Sequence, residues 1–279
     1  MSDHPDIASG HVPVPASIEP APSSAVDGAP ARLQAQGLVL SWDGRVICEG
    51  ITFEVRQGEL LCLLGRSGSG KTTIFHALAG LTRPDSGKVL LDGEDITGIP
   101  GKVSYMLQKD LLLDQHTIVD NASMPLRVKG MGKRQAREMA SSLFADFGIA
   151  GTEEMYPSQL SGGMRQRAAL LRTYLMENDV VLMDEPFSAL DAFTRKEMQQ
   201  WFIAMLGRLG LSSVLVTHDV DEAVAMSDRI MVLSGGPGSV ALSRIAGMVD
   251  VPSPRDEREG FLLTEEALGI KREVLGLLG

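Results

Sequence analysis

A glycine-rich stretch between a short apolar strand and a helix constrains this chain more than any other feature. The apolar run Leu60–Leu64 predicts a buried strand, and Ile74–Gly80 has the spacing of a short helix. Between them the sequence GRSGSGKTT fits the pattern G-x-x-x-x-G-K-[ST]. Glycines let the backbone turn tightly, so that successive N–H groups and the positive end of the helix dipole face one anion. We therefore predict a phosphate-binding loop that consists of Gly65, Arg66, Ser67, Gly68, Ser69, Gly70, Lys71, Thr72 and Thr73.

Two residues of this loop carry the predicted chemistry. Lys71 is expected to reach the β- and γ-phosphates of a nucleotide, and the Thr72 hydroxyl is expected to bind Mg²⁺. The alternative is a Gly/Ser-rich turn without a ligand, which leaves the full pattern and its strand–helix context unexplained.

Composition narrows the class of protein. The chain has 279 residues, of which 44% are hydrophobic and 22% charged, so it can bury a large core. Its formal net charge is −10, whereas nucleic-acid binding needs clustered positive charge, so we expect no nucleic-acid partner. Cys48 and Cys62 are the only cysteines and lack metal-ligand spacing, which indicates a reducing compartment and no disulfide framework.

The N-terminal segment differs in composition from the rest. Residues 1–30 are rich in Pro, Ala and Ser, and we predict that they are disordered. The segment has neither a basic n-region nor an apolar h-region, so we expect no signal peptide. No apolar stretch of the chain reaches about 18 residues, so we also expect no transmembrane helix. Any role at a membrane must then come through a partner.

Short apolar strands alternate with helical patterns along the rest of the chain. This alternation predicts an α/β fold with a mostly parallel central sheet, and strands on both sides of the Asp43–Gly44 and Asp92–Gly93 turns predict a small antiparallel β region. Residues 109–178 carry the longer helical patterns. The predicted strands are Leu33–Leu40, Ile51–Val55, Leu60–Leu64, Lys88–Leu91, Val103–Leu107, Val180–Met183, Ser213–Thr217 and Arg229–Leu233, and the main later helices are Gln135–Phe147, Gly162–Glu177, Phe193–Leu209 and Asp221–Ser227.

An apolar strand that ends in two carboxylates forms a second nucleotide motif. After Val180–Met183, Asp184 is placed beside the phosphate loop, where it can hold Mg²⁺ directly or through water. Glu185 comes next, outside the strand, where it can polarise a water molecule for attack on the γ-phosphate. The alternative is a strand-end acid that caps a helix.

A serine and two glycines open another helix. Ser161, Gly162 and Gly163 expose the N–H groups of a second helix N-terminus, which is a second candidate anion site. One chain does not need two γ-phosphate sites that face different ways, but two chains packed head to tail do. The alternative is an ordinary serine N-cap.

Six motifs together carry a resemblance to a known family: Gly65–Thr72, Gln108, Leu160–Gln166, Asp184–Glu185, Ser188–Asp191 and Thr217–Asp219. They resemble the motif set of the ABC-type ATPases, in the family's order and at the family's spacings over about residues 31–245. The resemblance implies a P-loop NTPase fold of ABC type, an ATPase activity with ATP and Mg²⁺, and a helical subdomain at about 109–178 that carries the signature motif.

Further residue roles follow from the resemblance alone. Gln108 resembles the glutamine that contacts Mg²⁺ or the attacking water and senses the permease. Asp191 resembles the aspartate that links two composite sites, and His218 the histidine that contacts the γ-phosphate. Trp42 lies where the family usually places an aromatic side chain that stacks on adenine; the alternative is a surface aromatic before a turn. The catalytic set is therefore expected to be Glu185, His218, Gln108 and Lys71, and the metal ligands Thr72, Gln108 and Asp184.

The C-terminal part is expected to be an extension, residues 246–279, outside an ATPase domain at 31–245. Thr264–Leu278 has apolar positions among charged ones and predicts an amphipathic helix, with a turn signal at Gly269. The alternative is a solvated tail.

The resemblance also implies partners. One P-loop and one signature imply a head-to-tail dimer, and the lack of a fused membrane span implies separate permease subunits, with a solute-binding protein engaged indirectly, at the cytoplasmic face of the plasma membrane. Tyr156–Gln159, Asp221–Ala223 and Gly236–Gly238 are similar to bacterial importer ATPases. The tail at Pro254–Asp256 is similar to the nitrate/sulfonate/taurine group, which includes transporters of pyrimidine precursors of thiamine.

One stretch departs from that group. Asp114–Thr117 replaces the Pro-Trp-Arg-Thr of many relatives after the glutamine loop, which leaves the permease type and the cargo open. The alternative functions are an exporter or lipid-extraction ATPase and a soluble ABC ATPase without a transport role.

Overall fold

The computed structural model describes residues 29–235 and 242–279. Two β-sheets and a group of helices make up this part of the chain. The strands are β1 (Ala31–Trp42), β2 (Arg45–Arg56), β3 (Leu60–Gly65), β4 (Ser86–Leu91), β5 (Glu94–Asp95), β6 (Ser104–Met106), β7 (Val180–Asp184), β8 (Ser212–Thr217), β9 (Arg229–Leu233) and β10 (Ile245–Asp250). The helices are α1 (Lys71–Leu78), α2 (Ile118–Ala122), α3 (Met124–Val128), α4 (Lys133–Ser142), α5 (Gly162–Tyr174), α6 (Ala192–Leu209), α7 (Val220–Met226) and α8 (Glu265–Leu278).

The larger sheet is mostly parallel, which confirms the predicted fold class. Its strand order is β10-β9-β3-β8-β7-β6, and only the β9–β10 pair is antiparallel. Strands β3 and β8 are buried along their whole length, as expected for parallel strands that are covered on both faces. Because all five parallel strands end at the same edge, the residues that follow β3, β6, β7 and β8 lie together there.

The smaller sheet is antiparallel, with the strand order β2-β1-β4-β5. Its first hairpin turns at Asp43 and Gly44, which have φ angles of 49° and 73°. Positive φ at both central residues matches the right-handed twist of the two strands and explains the Asp-Gly pair. The turn carries Trp42 at the end of β1 toward the edge of the larger sheet.

Helices α2–α5 form the helical region predicted for residues 109–178. They bury a shared core that includes Phe144 and Phe147 and continues onto α6 through Phe202. The fully buried Asn121 amide accepts from the backbone N–H of Leu113 and donates to the carbonyls of Leu113, His116 and Thr117. These bonds hold the unusual 114–117 stretch as an ordered loop.

The C-terminal part packs on the outer edge of the larger sheet. Helix α8 occupies the segment predicted as an amphipathic helix and buries Ala267, Ile270 and Val274 against β9, β10 and α7. Gly269 lies inside this helix, so the turn predicted there is wrong. Strand β10 was not predicted, and it continues the sheet to Asp250, past the expected domain end at residue 245.

Other boundaries differ modestly from expectation. Helix α4 ends at Ser142, and the chain then turns toward Phe147, where the prediction had continued the helix. The Gly236–Gly238 turn and residues 1–28 of the N-terminal segment lie outside the described residues. Within the described ranges, none of the helices combines the length and the apolar composition that crossing a bilayer requires.

Candidate nucleotide-binding site

The glycine-rich loop connects β3 to α1 and has the backbone that the sequence pattern requires. Gly68 and Gly70 have φ angles of 77° and 84°, a region in which residues with a Cβ are strained. A Cβ at Gly70 would also lie 2.5 Å from Cys48 Sγ. The loop therefore needs glycine at this position both for its conformation and for its packing on β2.

Lys71 folds back over the loop. Its Nζ donates to the carbonyl oxygens of Gly65 and Arg66 at 2.8 and 2.9 Å, and the side chain is buried. Burial lowers the pKa of Lys71, while the carboxylates of Glu185 and Asp184 act in the opposite direction. The ammonium is thus fixed at the loop and faces two acidic groups.

The loop also offers the donors that a phosphate needs. Lys71 is the first residue of α1, and the first backbone N–H groups of a helix have no partner within the helix. Ser69 is fully buried, and its Oγ has no hydrogen-bond partner among the described residues. The free N–H groups of the helix N-terminus, next to the Lys71 ammonium, fit an anionic ligand.

A cavity of about 620 Å³ opens next to the loop. It is large enough for a mononucleotide, and one wall is formed by the exposed indole of Trp42. The residues that line it are Trp42, Ile47, Ser67, Gly68, Gly70, Lys71, Thr72, Thr73, His76, Asp184, Glu185 and His218.

Asp184 ends β7 and faces this cavity. Burial raises the pKa of its carboxyl, and the neighbouring Glu185 adds to this, while the Tyr105 hydroxyl and the charge of Lys71 act against it. The Tyr105 hydroxyl donates to Asp184 Oδ2 at 3.3 Å. The acid is thus held in place from β6, the next strand of the sheet.

Glu185 is at the centre of a contact group formed by three loops. Its Oε1 lies 3.1 Å from His218 Nδ1, and its Oε2 accepts from Gln108 Nε2 at 3.3 Å. Glu185 has a φ of 45°, an uncommon conformation for a residue with a side chain, and its N–H donates to Val216 O at 3.0 Å. The sharp turn after β7 aims this carboxylate back into the cavity, where it can act as a general base.

The donor set suits a magnesium ion. The hydroxyl of Thr72 and the carboxylate of Asp184 both line the cavity, and Gln108 lies beside Glu185. These side chains offer oxygen ligands, which Mg²⁺ prefers. They are too few to complete its coordination, as is usual when the ion also binds phosphate and water. The residues present therefore fit the ion that the sequence predicts.

Several predicted residues are not in the lining of the cavity. Gly65, Arg66 and Ser69 belong to the loop but lie behind or outside the cavity surface, and a Cβ at Gly65 would lie 2.6 Å from Ser69 Oγ. Arg66 also hydrogen-bonds to the carbonyl of Gly279. The remaining residues outside the lining are Gln108, Ser161, Gly162, Gly163 and Asp191.

The serine and aspartate of that group cap helices in this chain. Ser161 is exposed, and its Oγ accepts from Met164 N at 3.3 Å at the start of α5. Asp191 caps α6 by accepting from the N–H groups of Phe193 and Thr194, each at 3.1 Å. Hydrogen bonds from Thr194, then from Phe193, lower the pKa of Asp191. Neither cap reaches the cavity of its own chain.

Three residues near the nucleotide cavity were not predicted. Ile47 and His76 line it, and Tyr105 holds Asp184. His76 lies on α1 one turn beyond Thr72, so helical spacing from the loop was the signal that placed it on the cavity side. Tyr105 had no such signal, because its contact depends on β6 lying next to β7.

Comparison with known proteins identifies the family. The sequence matches the family profile described as ABC transporter over residues 48–188. It is 38% identical over 236 residues to the formylaminopyrimidine import ATP-binding protein of Halalkalibacterium halodurans, covering 83% of this chain and 90% of the relative. It is 36% identical over 208 residues to the taurine import ATP-binding protein of Yersinia pestis, covering 75% of this chain and 82% of the relative.

A solved structure supports the same fold. The cbiO1 protein of Clostridium perfringens, described as part of the ABC transporter complex cbiONQ, superposes with a TM-score of 0.69 at 23% identity, covering 87% of this chain and 99% of that chain. At this identity the likeness concerns the fold alone. The sequence matches and the phosphate loop beside two strand-end acids lead to one conclusion: this chain belongs to the ABC transporter family and is an ATPase of the importer type.

Proposed function

We propose that two copies of this chain pack head to tail and hydrolyse ATP at two shared sites. The observation that carries the proposal is the one-sided lining of the cavity, which has the phosphate loop, Asp184, Glu185 and His218 on its wall but not Ser161–Gly163. Ser161 is exposed at the N-terminus of α5, where a helix dipole and free N–H groups favour an anion. A second copy would bring its Ser161–Gly163 to the open side of the cavity.

Each residue at the site has a distinct part in this scheme. Trp42 stacks on the adenine ring, and the loop with Lys71 binds the phosphates. Thr72 and Asp184 would hold Mg²⁺, aided by Gln108, and a bound ion would supply positive charge to offset that of the phosphates. Glu185 polarises the attacking water, and His218 meets the γ-phosphate. As in other phosphoryl transfers, positioning and electrostatic stabilisation supply most of the rate gain.

The Glu185→Gln variant tests both the chemistry and the dimer. The amide keeps the shape of the side chain but cannot accept the water proton, so hydrolysis should fall about 10²- to 10⁴-fold. ATP binding should be retained, and the bound nucleotide should then hold two chains together. Light scattering after size exclusion in ATP should give twice the subunit mass. Unchanged steady-state hydrolysis would rule out the role of Glu185.

The signature residues supply the matched control. Ser161→Arg in the Glu185→Gln background places a long cation at the helix N-terminus, outside the lining of the cavity of its own chain. We expect ATP binding by the monomer to survive and the ATP-dependent dimer to be lost. Glu197→Gln is the control for Glu185→Gln, because it makes the same chemical change at an exposed position of α6 outside the site. A dimer that persists with Ser161→Arg would argue against shared sites.

We further propose that the dimer drives separate membrane permease subunits that import a small solute. The relatives named above are import ATP-binding proteins for a formylaminopyrimidine and for taurine, and a sulfate/thiosulfate import ATP-binding protein of Xanthomonas campestris is 42% identical over 195 residues. These names favour a small organic or inorganic cargo that is selected by a solute-binding protein and the permease. The dimer would then bind the membrane peripherally, at its cytoplasmic face.

The loop after Gln108 offers a surface for the permease. Leu111 and Leu113 are exposed, and Leu111 is held with a φ of 45° while its carbonyl accepts from Arg172 at 2.8 Å. Affinity purification of the tagged chain from its own cells in mild detergent should recover integral membrane subunits, and Leu111→Asp should release them. Recovery of ribosomes or DNA would contradict the transport role.

A further inference from the structure

A buried carboxylate lies behind the histidine of the site. Glu222, in the first turn of α7, is 7% exposed and is outside the nucleotide cavity. It lines a small cavity of about 60 Å³ together with Glu185 and His218. The roles described so far leave this acid without a function.

One oxygen of Glu222 controls the turn that carries His218. The Thr217 hydroxyl, at the end of β8, donates to Glu222 Oε2. The same hydroxyl accepts from Asp219 N at 3.1 Å. Thr217 and Asp219 are the residues on either side of His218, so this hydroxyl links the two ends of the histidine turn, and Glu222 fixes the direction of the hydroxyl.

The other oxygen of Glu222 connects the turn to a different element. Gln199 Nε2, on α6, donates to Glu222 Oε1 at 2.9 Å. The start of α7 is itself fixed, because Asp219 Oδ1 accepts from the N–H groups of Asp221 and Glu222 at 2.8 and 3.2 Å. Glu222 is therefore the point at which β8, α7 and α6 are joined by hydrogen bonds.

Burying the carboxylate of Glu222 is energetically unfavourable. Burial raises the pKa of its carboxyl, and the hydrogen bonds from Thr217 and Gln199 and the charge of Arg195 offset only part of the cost. An apolar side chain of similar volume would often stabilise such a site as well or better. Hydrogen bonding to a particular turn is the property that only the polar side chain supplies.

The geometry points to Glu222 as a positioning residue for ATP hydrolysis, which acts through Thr217 to hold His218 beside Glu185. The backbone bond from Glu185 N to Val216 O fixes one side of that pair at 3.0 Å, and the Thr217–Glu222 bond fixes the other. This inference rests on the function proposed above for His218.

The first test compares two substitutions of Glu222. Glu222→Leu leaves the Thr217 hydroxyl without its acceptor, and we expect kcat to fall about tenfold while the Kd for ATP changes less than about twofold. Glu222→Gln can accept from Thr217 if the Gln199 amide flips, so it should recover kcat to within about threefold of wild type. Equal loss of kcat in Glu222→Leu and Glu222→Gln, or no loss in either, overturns the assignment.

Control variants separate positioning from general damage to the fold. Asp221→Leu alters the preceding carboxylate of α7, which pairs with Lys271 on the outer side at 2.8 Å, and it should leave kcat unchanged. Thr217→Val removes the hydroxyl that bonds to Glu222, so it should lower kcat as much as Glu222→Leu does. Thr217→Ser keeps the hydroxyl and should keep kcat near the wild-type value. If Glu222→Leu does not fold, the Thr217 pair decides the matter by the same criteria.

A double-variant cycle with His218→Ala identifies the residue through which Glu222 acts. Single-turnover hydrolysis should be lower in His218→Ala, and adding Glu222→Leu should cost less than about twofold more, because the positioned group is already gone. A full further tenfold loss overturns the assignment to His218. If His218→Ala lowers the hydrolysis rate but Glu222→Leu does not, only the inference about Glu222 fails. If His218→Ala hydrolyses ATP at the normal rate, the proposed role of the histidine fails as well.

Discussion

At the scale of single residues, Trp42 is the side chain that can report nucleotide binding directly. It is 62% exposed on the wall of the cavity, whereas Trp201, the other tryptophan, packs against Phe147 and Arg167 in the helical core. With Trp201→Phe as background, ATP should change the emission of Trp42 in a saturable way. Trp42→Ala should raise the Kd for ATP roughly tenfold, or about 1.4 kcal/mol, and Trp42→Phe should keep most of the affinity. An emission that ignores ATP would count against stacking.

At the same scale, local sequence predicts the phosphate loop but not the contacts between residues from different strands. The phosphate loop is continuous in sequence, and its glycine positions and Lys71 have conformations that the pattern alone implies. The meeting of Gln108, Glu185 and His218 is not local, because it arises from three neighbouring parallel strands ending at one edge. Before the structure, only the family resemblance assigned Gln108 and His218 to the same site as Glu185. Tyr105 and Glu222 act through neighbours from other elements, which residue spacing cannot reveal.

At the scale of elements, the buried Arg258 helps to tie the C-terminal segment to α7 and to the end of β10. The guanidinium of Arg258 donates to the carbonyls of Val224, Ser227, Val251 and Ser253. Arg258→Met would leave these carbonyls without their donor, and we expect it to lower the free energy of unfolding by roughly 3 kcal/mol. Urea denaturation followed by circular dichroism measures this change.

An exposed residue of α8 serves as the comparison. Arg272→Met changes the same residue type on the solvent side of the helix and should alter stability by less than about 0.5 kcal/mol. Limited proteolysis should cut α8 more readily in Arg258→Met than in Arg272→Met. Equal stability of the two variants would mean that the hydrogen bonds of Arg258 do not hold the segment.

Elements with strong apolar patterns were predicted well, and those without were missed. The buried strands β3 and β8 stand out as continuous apolar runs, and α8 was found from its spacing. Strand β10 has the sequence IAGMVD, with a glycine inside and exposed alternate positions, so it gave a weak signal. Its place in the sheet depends on antiparallel pairing with β9, which is a tertiary choice.

At the scale of the whole molecule, we propose that one chain holds only part of an ATPase site. The cavity is fully formed on the side of the phosphate loop, while the exposed Ser161 caps a helix outside its lining. The acidic net charge of −10 makes the approach of two copies sensitive to salt, because added ions screen repulsion between like charges. Moderate salt should therefore favour the ATP-bound dimer in solution.

The most direct test is the rate of ATP hydrolysis per subunit as the protein is diluted at saturating ATP and Mg²⁺, with no membrane partner present. If two copies complete each site, the rate per subunit should fall toward zero below the dissociation constant of the dimer, in parallel with the loss of dimer mass in light scattering. A rate per subunit that stays constant while only monomer is present would contradict the shared site.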